Sequence, residues 1–182
     1  MAAISLAIIG KNNEPLFIKE FFDESNRCST NFLYEEELFG LPPPKDRPPP
    51  ACSLRQQFIL HSALDRFEQL AGPSPGYAWR TINASGTDAM FVGLLCPVDD
   101  LRVYGYMTTT QIKFILCVED DALPDDQPSV DEMIKRLLFK IHRLYVEQTL
   151  NPFSSMGAPI SSPRFESQLK STVTAYNHAV AR

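Results

Sequence analysis

His61 and Asp65 offer the first chemistry in this sequence: an imidazole and a carboxylate four residues apart. On a helix that is one turn, the spacing at which a carboxylate can orient a histidine as a general base. Catalysis needs a third, convergent group, and no G-x-S-x-G elbow, phosphate loop, G-x-G-x-x-G or H-E-x-x-H stands in the chain to supply it. The expectation is a non-enzymatic protein with no catalytic residue and no cofactor. Asp120, Asp121, Asp125 and Asp126 form a second cluster, whose sharp reading is a hard cation. It lacks the central Gly and terminal Glu of an EF-hand loop, so a solvated acidic linker without a metal is expected. The four cysteines make no C-x-x-C pair and no zinc-ligand spacing with the three histidines. Cys96 and Cys117 lie in apolar strand patterns, Cys28 and Cys52 flank an irregular segment, and reduced thiols are expected.

Two short motifs point to recognition instead. Residues 42–50 read PPPKDRPPP and hold six of the chain's 15 prolines, a tract that favours extended polyproline II. No two of them stand at PxxP spacing, so a solvated insertion at about 24–52 is preferred to an SH3 or WW ligand. Asn151-Pro152-Phe153 has the form of an EH-domain ligand. The preferred reading is a helix stop, with Phe153 tucked against the sheet, because Pro commonly follows a helix end.

The elements that must position these residues are legible from periodicity. Residues 90–97 (MFVGLLCP), 101–107 (LRVYGYM) and 112–119 (IKFILCVE) predict a three-stranded meander at the core of one sheet. Both alternating sets of its first strand are mostly apolar, the pattern of a strand covered on both faces. Pro97, Asp99 and Asp100 give its first turn; Thr108 to Gln111 carries no strong turn dipeptide. Ile4 to Ile9 and Leu16 to Phe21 predict a hairpin around Gly10-Lys11-Asn12-Asn13.

Three helices follow from the 3.6-residue period. Ser53 and Gln56 predict a capping box for the first, with Leu60, Ala63, Leu64, Phe67, Leu70 and Ala71 on its apolar stripe; Gly72-Pro73 stops it. Ser129 and Glu132 predict another box for the second, whose stripe is Val130, Met133, Ile134, Leu137, Leu138, Ile141, Leu144 and Tyr145. Ser162-Pro163 opens the third, with Phe165, Leu169, Val173 and Tyr176 on one side. Between the first helix and the meander, residues 72–88 form a long loop with the only tryptophan, Trp79, and an idle glycosylation sequon at Asn83.

A chain of 182 residues suits one domain with a sizeable core, here 1–182. The net charge of −5 and pI near 5.2 argue against a nucleic-acid partner. No apolar run approaches the roughly 20 residues needed to cross a bilayer, and the N-terminus reads as a strand and not a signal peptide.

Several strings carry a family likeness. IIGKNNEPLFIKEF resembles an opening hairpin, FILHSALDRFEQL a first helix, and FVGLLCPVDDLRVYGYMTTTQIKFILCV a meander with the pattern Y-G-Y-x-T and then K-F. IKRLLFKIHRLYVEQTLNPF and PISSPRFESQL resemble the second helix with its terminal N-P-F and the last turn and helix. In order and spacing the chain is similar to the small sedlin-like subunits of the TRAPP vesicle-tethering complex. The resemblance implies an α+β longin (SNARE-like) fold: a five-stranded, largely antiparallel sheet with one helix on one face and two on the other. It implies a non-catalytic adaptor in ER-to-Golgi and Golgi transport, whose whole complex activates a Rab-family GTPase. Partners would be other TRAPP-type subunits, and membrane association would be peripheral, at Golgi and endoplasmic reticulum membranes from the cytoplasmic side, through the complex only. In the family the aspartate of the first helix is tied to contacts between subunits. Carried over, this implies Asp65, with His61 one turn back, as partner-binding residues. The alternative is another longin-type trafficking module, such as a small coat-adaptor chain or a SNARE regulator.

Overall fold

The computed structural model describes residues 2–21, 54–71, 90–98, 100–119, 127–153 and 157–180. In chain order these form β1 (Ala3–Ile9), β2 (Pro15–Glu20), α1 (Leu54–Ala71), β3 (Phe91–Val98), β4 (Leu101–Met107), β5 (Lys113–Glu119), α2 (Gln127–Thr149) and α3 (Pro163–Val180). The five strands make one sheet in the order β2-β1-β5-β4-β3, every neighbouring pair antiparallel. This is the expected α+β longin architecture. The proline-rich insertion at 24–52, the loop at 72–88 with Trp79 and Asn83, the aspartates of 120–126, and Cys28, Cys52 and Ser53 lie outside the described residues.

Period-two alternation assigns each strand residue to a layer. Leu6, Ile8, Tyr104, Tyr106, Phe114 and Leu116 face α2 and α3, where they join Ile134, Leu138, Ile141, Phe165, Leu169 and Val173 in one buried cluster. Ala7, Ile9, Val103, Met107, Ile115 and Cys117 face α1 and pack with Ile59, Leu60, Ala63 and Phe67. One helix thus covers one face and two cover the other. On the two-helix side, aromatic rings meet edge to face: Phe17 with Phe165 at 5.3 Å and Phe114 with Tyr145 at 5.7 Å between centroids. Such pairs contribute about 0.5–1.5 kcal/mol each beyond area burial.

Both tight connections explain themselves. In the hairpin, Gly10 N–H donates to the Glu14 carbonyl at 2.8 Å, and Asn13 takes φ = 64°, which asparagine tolerates. The β4–β5 turn lacks a turn dipeptide because Thr108 closes it with its side chain. Ile112 N–H donates to Thr108 Oγ1 at 3.0 Å while Thr108 N–H donates to the Ile112 carbonyl at 2.9 Å.

Three sequence expectations need correction. β3 is an edge strand and is not covered on both faces: Leu94 is exposed, and its pairing with β4 is interrupted at Phe91/Gly93 and Leu94/Cys96. Gly93, at φ = 90°, admits the first irregularity, and such bulges are typical of sheet edges. The middle of the sheet is β1, β5 and β4. α2 begins at Gln127, so Ser129 lies inside its first turn and not at the N-cap position that a capping box requires. Glu132 instead pairs along the helix with Arg136 at 3.4 Å and Lys135 at 3.9 Å. The α1 capping box depends on Ser53, outside the described residues; Gln56 itself is buried and accepts a hydrogen bond from Ser5 Oγ at 3.1 Å, tying the helix to β1. Phe153 is not tucked against the sheet. It is 94% exposed and belongs to neither core cluster.

The α3 start is as read: Ser162 Oγ accepts from Phe165 N–H at 3.4 Å, with Pro163 in the first helical position. Near its other end, Asn177 grips β1 with both amide atoms, Oδ1 accepting from Ala3 N–H at 2.8 Å and Nδ2 donating to the Ala3 carbonyl at 3.3 Å.

Gly105, between the two tyrosines of Y-G-Y, sets how closely α1 approaches. A methyl group there would lie 2.8 Å from Phe67 Cζ and 2.9 Å from the Leu95 methyl carbons. Gly105→Val is expected to destabilise the fold by about 1–3 kcal/mol through overpacking. In denaturant unfolding, Phe67→Leu should recover part of that loss, so that the double variant costs less than the sum. Strict additivity would mean that Phe67 does not set the limit.

His142 of α2 ties the other layer down: its Nδ1 lies 3.1 Å from Tyr106 Oη, and its ring sits against Phe114. Burial lowers its pKa below the ordinary 6.5. The unfolded chain therefore binds the proton more readily, and stability present above pH 6.5 is lost as the pH falls through the lower folded value. The melting temperature of His142→Gln is expected to fall less between pH 7 and pH 5 than that of the parent. Parallel curves would exclude His142 as a contributor.

Candidate functional site

α1 presents the apolar stripe of Ile59, Leu60, Ala63 and Phe67 to the sheet, which turns positions 58, 61 and 65 outward. Spacings of three and four residues stack them on one ridge. His61 and Asp65 are both exposed, one turn apart, and no hydrogen bond or ion pair joins them. The bond open to them from spacing is thus not made; in water it would be worth only a few tenths of a kcal/mol. The third member of the ridge, Phe58, lies off the apolar stripe read from the sequence. Its side chain is 70% exposed beside the two polar residues. The signal was in the sequence: a phenylalanine immediately ahead of the buried Ile59-Leu60 pair and out of phase with Ala63 and Phe67.

No other group of described residues competes as a reaction centre. Burial pushes the Cys117 thiol up to about 11 and also raises Cys96, against the opposing pull of Arg66. Both stay protonated near neutrality, the unreactive form. Tyr176 is held up at about 12, mainly by burial and further by Tyr104. Tyr106 Oη and His142 meet without a nucleophile, and the Tyr hydroxyl also reaches Met90 Sδ at 3.2 Å. A shallow cavity of about 320 Å³ along β2 is bordered by Pro15, Phe17, Lys19, Pro159, Ile160 and Glu166. Its one ionic feature, the Lys19–Glu166 pair, is a half-exposed bridge between β2 and α3. What α1 presents to solvent is a phenyl ring, an imidazole and an unpaired carboxylate on a sheet-backed helix.

The sequence pattern of the family described as Sedlin matches residues 8–175, from β1 into α3. The chain belongs to the Sedlin family. The chain is similar to the trafficking protein particle complex subunit 2-like protein of Dictyostelium discoideum, 29% identical over 171 residues that cover 93% of this chain and 95% of that one. The protein of the same name from Xenopus tropicalis is 25% identical over 174 residues, with the same coverage of both chains. Trafficking protein particle complex subunit 20 of Saccharomyces cerevisiae is 25% identical over 181 residues, covering 90% of this chain and 92% of that one. Membership accounts for the longin sheet and its helices. Within the Sedlin family architecture, the α1 ridge is surface that the core does not use.

That separation of ridge from core is measurable. Phe58→Ala should change unfolding free energy by no more than about 0.5 kcal/mol, as expected for an exposed site. Ile59→Ala, one residue on but fully buried, should cost about 2–5 kcal/mol. Comparable losses from the two would place Phe58 in the core.

Proposed function

We propose that this chain is a non-catalytic adaptor that helps assemble a TRAPP-type tethering complex in ER-to-Golgi and Golgi vesicle transport. In this reading it supports activation of a Rab-family GTPase by the whole complex without supplying the exchange surface. The observation that carries the proposal is the match to Sedlin-family chains, named as trafficking-complex subunits, over nearly the full length of both partners. The protein is then cytoplasmic and reaches Golgi and endoplasmic reticulum membranes peripherally, through its complex. Among the described residues no helix is long and apolar enough to cross a membrane.

The ridge of Phe58, His61 and Asp65 is the proposed subunit contact. An exposed carboxylate contributes little to a free chain, whereas one desolvated at an interface leaves its partner unpaired when deleted, at a cost of about 2–5 kcal/mol. Asp65→Tyr removes the charge and adds bulk at that point. Co-purification with native partners should fall by orders of magnitude, while circular dichroism and the melting curve stay those of the parent. Normal assembly by the variant would remove Asp65 from the interface; an unfolded variant would make it a structural residue.

A further inference from the structure

We propose that Asn151-Pro152-Phe153 is a preformed docking turn for an EH-type domain, a partner whose apolar pocket receives the Phe153 ring. The proposal stands apart from the α1 ridge and does not depend on assembly into a larger complex. α2 ends at Thr149, and its last carbonyls are closed by Leu150 N–H to the Val146 carbonyl at 2.9 Å and Asn151 N–H to the Gln148 carbonyl at 3.3 Å. The chain then folds on itself: Asn151 Oδ1 accepts from Phe153 N–H at 3.1 Å, an Asx turn with Pro152 fixing the bend. All three residues are exposed, Phe153 at 94%. A helix stop needs the asparagine and the proline. It does not need a phenyl ring held almost wholly in water, and no core contact accounts for that ring.

The geometry favours a protein pocket over the other apolar acceptor, a lipid surface. The asparagine side chain is spent on holding the turn, which pre-sets the tripeptide and lowers the ordering cost of docking into a shaped site. Membrane insertion has no use for that bond and draws on a basic flank. Here the last exposed charges of α2 are one of each sign, Arg143 and Glu147. Leu150, 74% exposed on the approach to the turn, extends the apolar contact next to the phenyl ring.

The test is titration calorimetry of the full chain against a panel of isolated EH domains, with Phe153→Ala and Asn151→Ala alongside. At least one domain should bind saturably at sub-millimolar concentration, with Phe153→Ala weakening binding by about tenfold or more. Asn151→Ala should weaken it as well, and both variants should melt with the parent. Vesicles of phosphatidylcholine and phosphatidylserine form the second arm, and no binding that depends on Phe153 is expected there. The proposal is overturned if no EH domain binds by about 1 mM, if binding ignores Phe153→Ala, or if vesicles alone show the Phe153 dependence. A lowered melting temperature for Phe153→Ala would overturn it too, by making the ring structural.

Discussion

Burial of β5 on both faces is the constraint from which the rest of the fold follows. Lys113 to Val118 are all buried, and the strand is paired to β1 on one side and β4 on the other. Its backbone is thereby paired on both sides, and every side chain needs a helix above or below it. The aromatic half of that demand, Phe114 with Tyr104 and Tyr106, is met by α2 and α3. The aliphatic half, Ile115 and Cys117, is met by α1 alone. A single helix must then sit close, and Gly105 is what lets Phe67 do so. The one lysine in this run escapes the apolar layer by sending Nζ to Asn13 Oδ1, at 2.5 Å, in the opposite turn.

The same arrangement decides which surfaces are left over. A helix that covers its sheet face alone keeps its outer ridge, and on α1 that ridge is Phe58, His61 and Asp65. The sheet edges are handled separately. β3 is broken by two irregularities, and β2 receives Ile160 N–H on the Leu16 carbonyl at 2.8 Å, a partial cover that discourages edge pairing. The α1 ridge and the Asn151 turn are therefore among the features left exposed after the folding demands of α1 and α2 have been met, with Phe139 on the outer side of α2 another.

Much of this was legible in the sequence where one signal dominated. Element order, the hairpin, the α3 cap at Ser162 and the division of the helices between the faces followed from periodicity, turn chemistry and family likeness. The misses occurred where two signals compete. β3 is as apolar as a central strand, and composition cannot tell a strand buried on two faces from a bulged edge. Ser129 and Glu132 match a capping box, but Pro128 fits a first turn equally well, and the helix takes the earlier start. Phe58 and Phe153 went unread or misread for one reason: a phenylalanine is assigned inward by default, and only packing shows that the inward places are taken.

The central claim, that the outer ridge of α1 is surface reserved for a partner subunit, is tested most directly by hydroxyl-radical footprinting of the chain alone and within its native complex. Phe58 and His61 should be modified readily in the free chain and become protected on assembly, while Phe114 and Tyr104 stay protected in both states. Equal modification of Phe58 in the free and assembled chain would contradict the account and move the contact to another face.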